Sequence, residues 1–89
     1  MTPGQIEAKD YLRYLQAKKT FRKIKDCARV AGVLEVYLSP IVEKFLKIVR
    51  EKEYPSKGVG MTSSGEAADL LVHLTEELQE EISMHEQAK

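Results

Sequence analysis

The C-terminal third of the chain places the strongest constraint on the fold. Ala67, Leu70, Leu71, Leu74, Leu78 and Ile82 recur at helical spacing. Just upstream, Ser63-Ser64-Gly65-Glu66 has the form of a capping box, with Ser63 as N-cap and Glu66 three residues on. The pattern predicts a helix over about 64–86. A helix of about 23 residues spans ~35 Å, and an apolar line that long has to be covered. Shorter helices upstream would leave its far end, around Leu78 and Ile82, as an open apolar patch rimmed by Glu. Leu71, Leu74, Leu78 and Ile82, at near-heptad spacing, are therefore the candidate partner-binding residues, for a protein partner or a second copy.

Upstream, Thr2-Pro3 is a helix start, since Thr caps free amides and Pro at the first helical position loses nothing. Ile6, Ala8, Tyr11, Leu12 and Leu15 follow at helical spacing and predict a first helix over about 3–18. Lys18-Lys19-Thr20 interrupts the pattern. Thr20 can cap a second helix over about 21–31, with Phe21, Ile24, Ala28 and Ala31 on one stripe and Cys27 beside it. Gly32 stands just past the last periodic residue, where a left-handed C-cap belongs. Residues 33–38 alternate and are rich in β-branched residues, but a lone strand has nothing to pair with, so a short helical turn is expected there. Ser39-Pro40 repeats the cap-plus-Pro start. A third helix over about 40–53 carries Ile41, Val42, Phe45, Leu46, Ile48 and Val49 and reads as central, with Phe45 and Leu46 packed on Ile24 and Leu12. Tyr54 to Thr62, with one Pro and two Gly, is a loop.

The expected fold is an all-α, small four-helix domain spanning 1–89. It comprises a basic three-helix unit over 1–53, the 54–62 loop, and an acidic amphipathic C-terminal helix over 63–89. An 89-residue chain fits one domain with one modest core. Formal net charge is +0, but residues 1–58 hold 13 of the 14 basic and 7 of the 14 acidic residues, a local excess of +6. The remaining residues carry −6. Such a split fits either a nucleic-acid or acidic-partner surface on one half, or two halves that neutralise each other face to face. A small secreted domain is normally stapled by disulfides, whereas here Cys27 is the only cysteine. The chain starts Met1-Thr2-Pro3-Gly4-Gln5 with no apolar run, and nothing approaches the ~20 apolar residues of a membrane span. A soluble, cytoplasmic protein with no membrane partner is the expectation.

Residues 24–41 carry the most specific pattern. A DNA-binding helix-turn-helix needs a small residue where two helices cross, Gly in the turn four residues on, and apolar residues that lock the second helix. Ala28, Gly32, Val33, Leu38 and Ile41 occupy those places. The basic lead-in Lys18-Lys19-Thr20-Phe21-Arg22-Lys23-Ile24-Lys25, the Ala28 to Gly32-Val33 turn and Glu35-Val36-Tyr37-Leu38 together resemble the final helix pair of a cyclin-like repeat in the general transcription factor IIB family. The resemblance covers residues 18–41 and implies DNA contact. Two features depart from it. Pro40 would fall inside the recognition helix, and Leu34, Glu35, Val36 and Ser39, at the base-reading positions, lack the Arg, Asn and Gln that read G and A. An ordinary helical hairpin capped by Gly fits the same residues.

Lys18, Lys19, Arg22, Lys23, Lys25 and Arg29 put six cations in twelve positions and are the candidate nucleic-acid-binding residues; a solvated helix face has the same signature. Tyr11, Tyr14 and Tyr37 suit either base stacking or a half-buried core edge. Glu76, Glu77, Glu80, Glu81 and Glu86 repel one another along the last helix, which suggests a basic surface opposite. His73 with Glu77, and His85 with Glu81, supply at most half a metal site each. Cys27 has no His near it in sequence and no Gly-rich phosphate loop exists, so no catalytic residue, cofactor or small-molecule substrate is assigned. The expected function is a non-enzymatic accessory protein of nucleic-acid machinery, in transcription or replication, whose last helix docks a partner. The alternative is a purely protein-binding helical adaptor or subunit.

Overall fold

A computed structural model describes the chain over residues 3–54 and 62–87. The described residues form three α-helices: α1 (Pro3–Val30), α2 (Glu35–Glu53) and α3 (Ser64–Gln87). The all-α expectation holds, but the helix count is three and not four, and no strand occurs among the described residues. The first two expected helices are one. Lys18 and Lys19 are good helix formers and Thr20 costs only a few tenths of a kcal/mol, so nothing at 18–20 is strong enough to stop a helix. Tyr14, Ala17, Phe21, Ile24 and Ala28 instead continue one inward face through the supposed break. The expected Thr2 cap, the Ile6 side chain and most of the 54–62 loop lie outside the described residues.

α1 ends where Gly was expected to end it. Gly32 adopts φ +90°. Its amide donates to the Arg29 carbonyl at 3.0 Å, and the Val33 amide donates to the Ala28 carbonyl at 3.0 Å. These are the two bonds of a Schellman stop, and buried Val33 and Ala28 supply its apolar contact. After only four residues the chain re-enters a helix at Glu35, so the expected turn at 33–38 is mostly the first part of α2. Pro40 therefore lies inside α2. The cost of a missing amide is tolerated because Leu38, Ile41 and Phe45, all buried, share one line only if the helix starts before Pro40. At the other end of the loop, the Glu66 amide donates to Ser63 Oγ at 3.2 Å, the expected N-cap of α3.

Cross-helix pairs fix the topology. Arg29 meets Glu35, Phe21 stacks on Phe45, and Tyr14 and Lys18 meet Glu53, so α2 runs antiparallel to α1. Ser64 Oγ donates to Glu7, Arg13 pairs with Asp69, and the His85 ring bonds the Ala31 carbonyl, so α3 runs parallel to α1. The closest backbone approach is between α1 and α3. Small residues permit it: Ala17 on α1 and Ala68 and Thr75 on α3 are buried where the two helices meet. Between α1 and α2 the spacer is aromatic, with the Phe21 and Phe45 rings 4.2 Å apart and 7° from parallel.

The core corrects several expectations. Phe45 is buried and Ile24 packs against the core, but Leu46 and Leu12 are 47% and 66% exposed. Ala8, Tyr11, Leu12 and Leu15, expected inward, are all exposed, because α1 turns Tyr14, Ala17 and Phe21 to its neighbours instead. Cys27 is exposed and does not belong to an apolar stripe. No described helix is long and apolar enough to cross a membrane.

Candidate functional site

Leu71, Leu74 and Leu78 are buried in the core and Ile82 packs against it. The open end expected around Leu78 and Ile82 is closed, because α1, at 28 residues, is long enough to run beside all of α3. These four residues hold the chain's own helices together, and the candidate surfaces lie elsewhere.

The six cations divide into two lines. Lys18, Arg22, Lys25 and Arg29 repeat every three or four residues along the side of α1 next to α2. Carboxylates of α2 engage both ends of this line: Lys18 Nζ lies 2.8 Å from Glu53 Oε2, and Arg29 Nε 2.8 Å from Glu35 Oε1. Lys19 and Lys23 lie on the opposite side of α1, both exposed. Among the described residues no carboxylate pairs with Lys19, Arg22, Lys23 or Lys25. The structure therefore does not gather the cations into one patch. The expectation that acidic α3 faces a basic surface is met locally, by Arg13 with Asp69 and Lys44 with Glu77.

Glu53 is the hub of the α1–α2 seam. Its carboxylate accepts from Lys18 and, at 2.8 Å, from the hydroxyl of fully buried Tyr14. The Lys18 bond foremost, then the Tyr14 bond, holds the Glu53 carboxyl below its ordinary range. Burial, then the bond to Glu53, pushes the Tyr14 phenol well above its ordinary value. These shifts belong to packing, since Tyr14 is fully buried and cannot stack a base.

On the side of α1 and α3 turned away from α2 runs an open groove of about 680 Å³. Leu12, Ala17, Ala68 and Val72 give it an apolar floor, and Lys9, Gln16, Glu76 and Gln79 stand along its walls. Leu12 and Val72, both large and apolar, are 66% and 46% exposed there. A smaller cavity of about 520 Å³ lies at the α1–α2 turn, between Leu34, Tyr37, Met84 and His85. The groove was not foreseen from sequence. It depends on α1 and α3 lying side by side and parallel, and no local pattern reports that.

The Ala28–Ile41 segment forms a hairpin. Side chains link its helices at Arg29–Glu35, Phe21–Phe45 and Tyr14–Glu53, an antiparallel course and not the steep crossing of a DNA-reading pair. Among the described residues, no group of three His, Cys, Asp or Glu is placed to hold a metal ion. His73 pairs weakly with Glu76 at 3.8 Å, and His85 is committed to Ala31. No protein-family model matches this sequence, and no curated protein or solved structure matches it.

Proposed function

We propose that this chain is a non-enzymatic helical docking module whose α1–α3 groove binds protein. The single observation that supports this reading is the groove itself. Large side chains with no core role, Leu12 and Val72, stand open to solvent over buried Ala17 and Ala68, inside walls that carry both signs of charge. Burying such a floor gains free energy at about 25 cal/mol per Å² of apolar surface, and a fourth helical element of a bundle fits its shape.

The reading is tested by placing a photo-crosslinking amino acid at Leu12, at Val72 and, as control, at Glu43, an exposed residue on α2. Protein adducts at 12 and 72 but not at 43 are expected in cells. Equal labelling at all three sites, or adducts to nucleic acid alone, overturns it.

A second reading, an accessory role in transcription or replication through phosphate contact, is favoured by one observation: Lys19, Arg22, Lys23 and Lys25 have no carboxylate partner among the described residues. That reading requires binding to DNA or RNA that falls steeply with salt and is lost on charge reversal of Lys18, Lys19, Arg22 and Lys23. No binding at low salt rules it out.

A further inference from the structure

We infer that the occupant of the α1–α3 groove is a second copy of this chain, related by a two-fold axis parallel to the helices, so that α1 of each copy lies over α3 of the other. The inference rests on the docking reading above and names its partner.

The two walls of the groove differ in charge. The α1 wall is mostly basic: Lys9 and Arg13 line it, and Lys19 and Lys23 extend it, seven residues on from Leu12 and Gln16 and ahead of Asp26. The α3 wall is acidic: Glu76 lines it and Glu80, one turn on, extends it. Heights along the bundle are set by the parallel course of the helices. Arg13 stands level with Asp69, 56 residues later, and Ala31 with His85, 54 residues later. Lys19 and Lys23 therefore stand level with the turns that hold Glu76 and Glu80.

A two-fold interface must be self-complementary. Only two face-to-face arrangements keep the helices aligned. An axis perpendicular to them reverses height and lays α1 on α1 and α3 on α3; passing at the level of the charged turns, it sets Lys19 and Lys23 against their own copies and Glu76 and Glu80 likewise. An axis parallel to them preserves height and lays α1 on α3. Lys19 and Lys23 of each copy then flank Glu76 and Glu80 of the other, twice per dimer, with Leu12 and Val72 shut between. Like charges oppose the first arrangement and opposite charges favour the second. The result is a four-helix centre made from two chains, with α2 of each on the outside.

Sedimentation over a concentration series tests this. Wild type is expected to form a dimer that weakens as salt rises. The double variants K19E/K23E and E76K/E80K alter exposed residues only and are each expected to weaken self-association about tenfold or more, with helical circular dichroism retained. Mixed in equal amounts, they are expected to restore the dimer as a heterodimer. A wild-type monomer at every concentration overturns the inference, as does a dimer that both double variants leave intact or that mixing fails to restore. A wild-type monomer that still gives protein adducts at positions 12 and 72 in cells removes the second copy while leaving the docking reading in place.

Discussion

α1 makes two seams by opposite means. Against α3 it uses small residues, Ala17 facing Ala68 and Thr75, and the backbones come close. Against α2 it uses bulk: the Phe21–Phe45 stack, buried Tyr14, and a ladder of Lys18, Glu53, Arg29 and Glu35 at the edges. A seam of small residues has no slack for an added group, and a seam of rings has no substitute for a lost one. The two should therefore fail under opposite substitutions.

The largest effect is expected on the bulky seam. Phe21→Ala removes half of the stack and should cost about 3–5 kcal/mol in chemical denaturation. That is a large share of the 5–15 kcal/mol typical of a domain. A loss under ~1 kcal/mol would show that the stack does not hold α2. Next comes Ala68→Leu, which forces a side chain into the close seam and should cost about 1–3 kcal/mol. If it stabilises the protein, α1 and α3 are further apart than described.

The smallest effect sharpens the comparison at the edge of the bulky seam. Tyr14→Phe keeps the buried ring and removes the donor to Glu53, so it should cost about 0.5–1.5 kcal/mol. The two groups of this bond set two pH limits, Tyr14 chiefly through its burial and Glu53 chiefly through Lys18. Tyr14 has a raised value in the folded protein, so its contribution is intact below pH ~10 and is lost as pH rises beyond the phenol's ordinary range. Glu53 has a lowered value, so its contribution is present above the ordinary carboxylate range and fades as acid protonates it. Denaturation across pH should show the alkaline loss in wild type and not in Tyr14→Phe.

Patterns confined to one helix end or one stripe could be read from sequence. The Ser63 cap, the Gly32 stop and the inward line Ala67, Leu71, Leu74 and Leu78 each depend on residues within a turn or two of one another, and each is present, although Leu70, expected on that line, is exposed. α1 was harder because it is apolar on more than one side. Ala8, Tyr11, Leu12 and Leu15 make as good a periodic line as Tyr14, Ala17 and Phe21, and only the neighbours decide between them. Residues 18–20 resembled a break because their polarity interrupts the wrong stripe. Helix choice at 33–40 turned on whether a missing Pro40 amide outweighs burial of Leu38, and burial prevails. Alanines carry little weight in a hydrophobic pattern, yet buried Ala17 and Ala68 lie in the closest helix seam among the described residues. The groove was out of reach for the same reason: its α1 side ends at Thr20 and its α3 side begins only at Ala68.

The parallel course of α1 and α3 also bears on the order in which the molecule assembles. α1 and α2 are joined by four residues, so their pairing closes a short loop early. An α1–α3 bond made first would instead close a loop of about the length of Arg13 to Asp69, 56 residues, at an entropy cost that falls once α1 and α2 have paired. Bundles that fold in microseconds are rich in local contacts. Here the tightest seam is the least local one, so docking of α3 on α1 follows the α1–α2 pairing that shortens its loop. Until that step completes, the apolar line from Ala67 to Leu78 stands uncovered and is the chain's main exposure to aggregation.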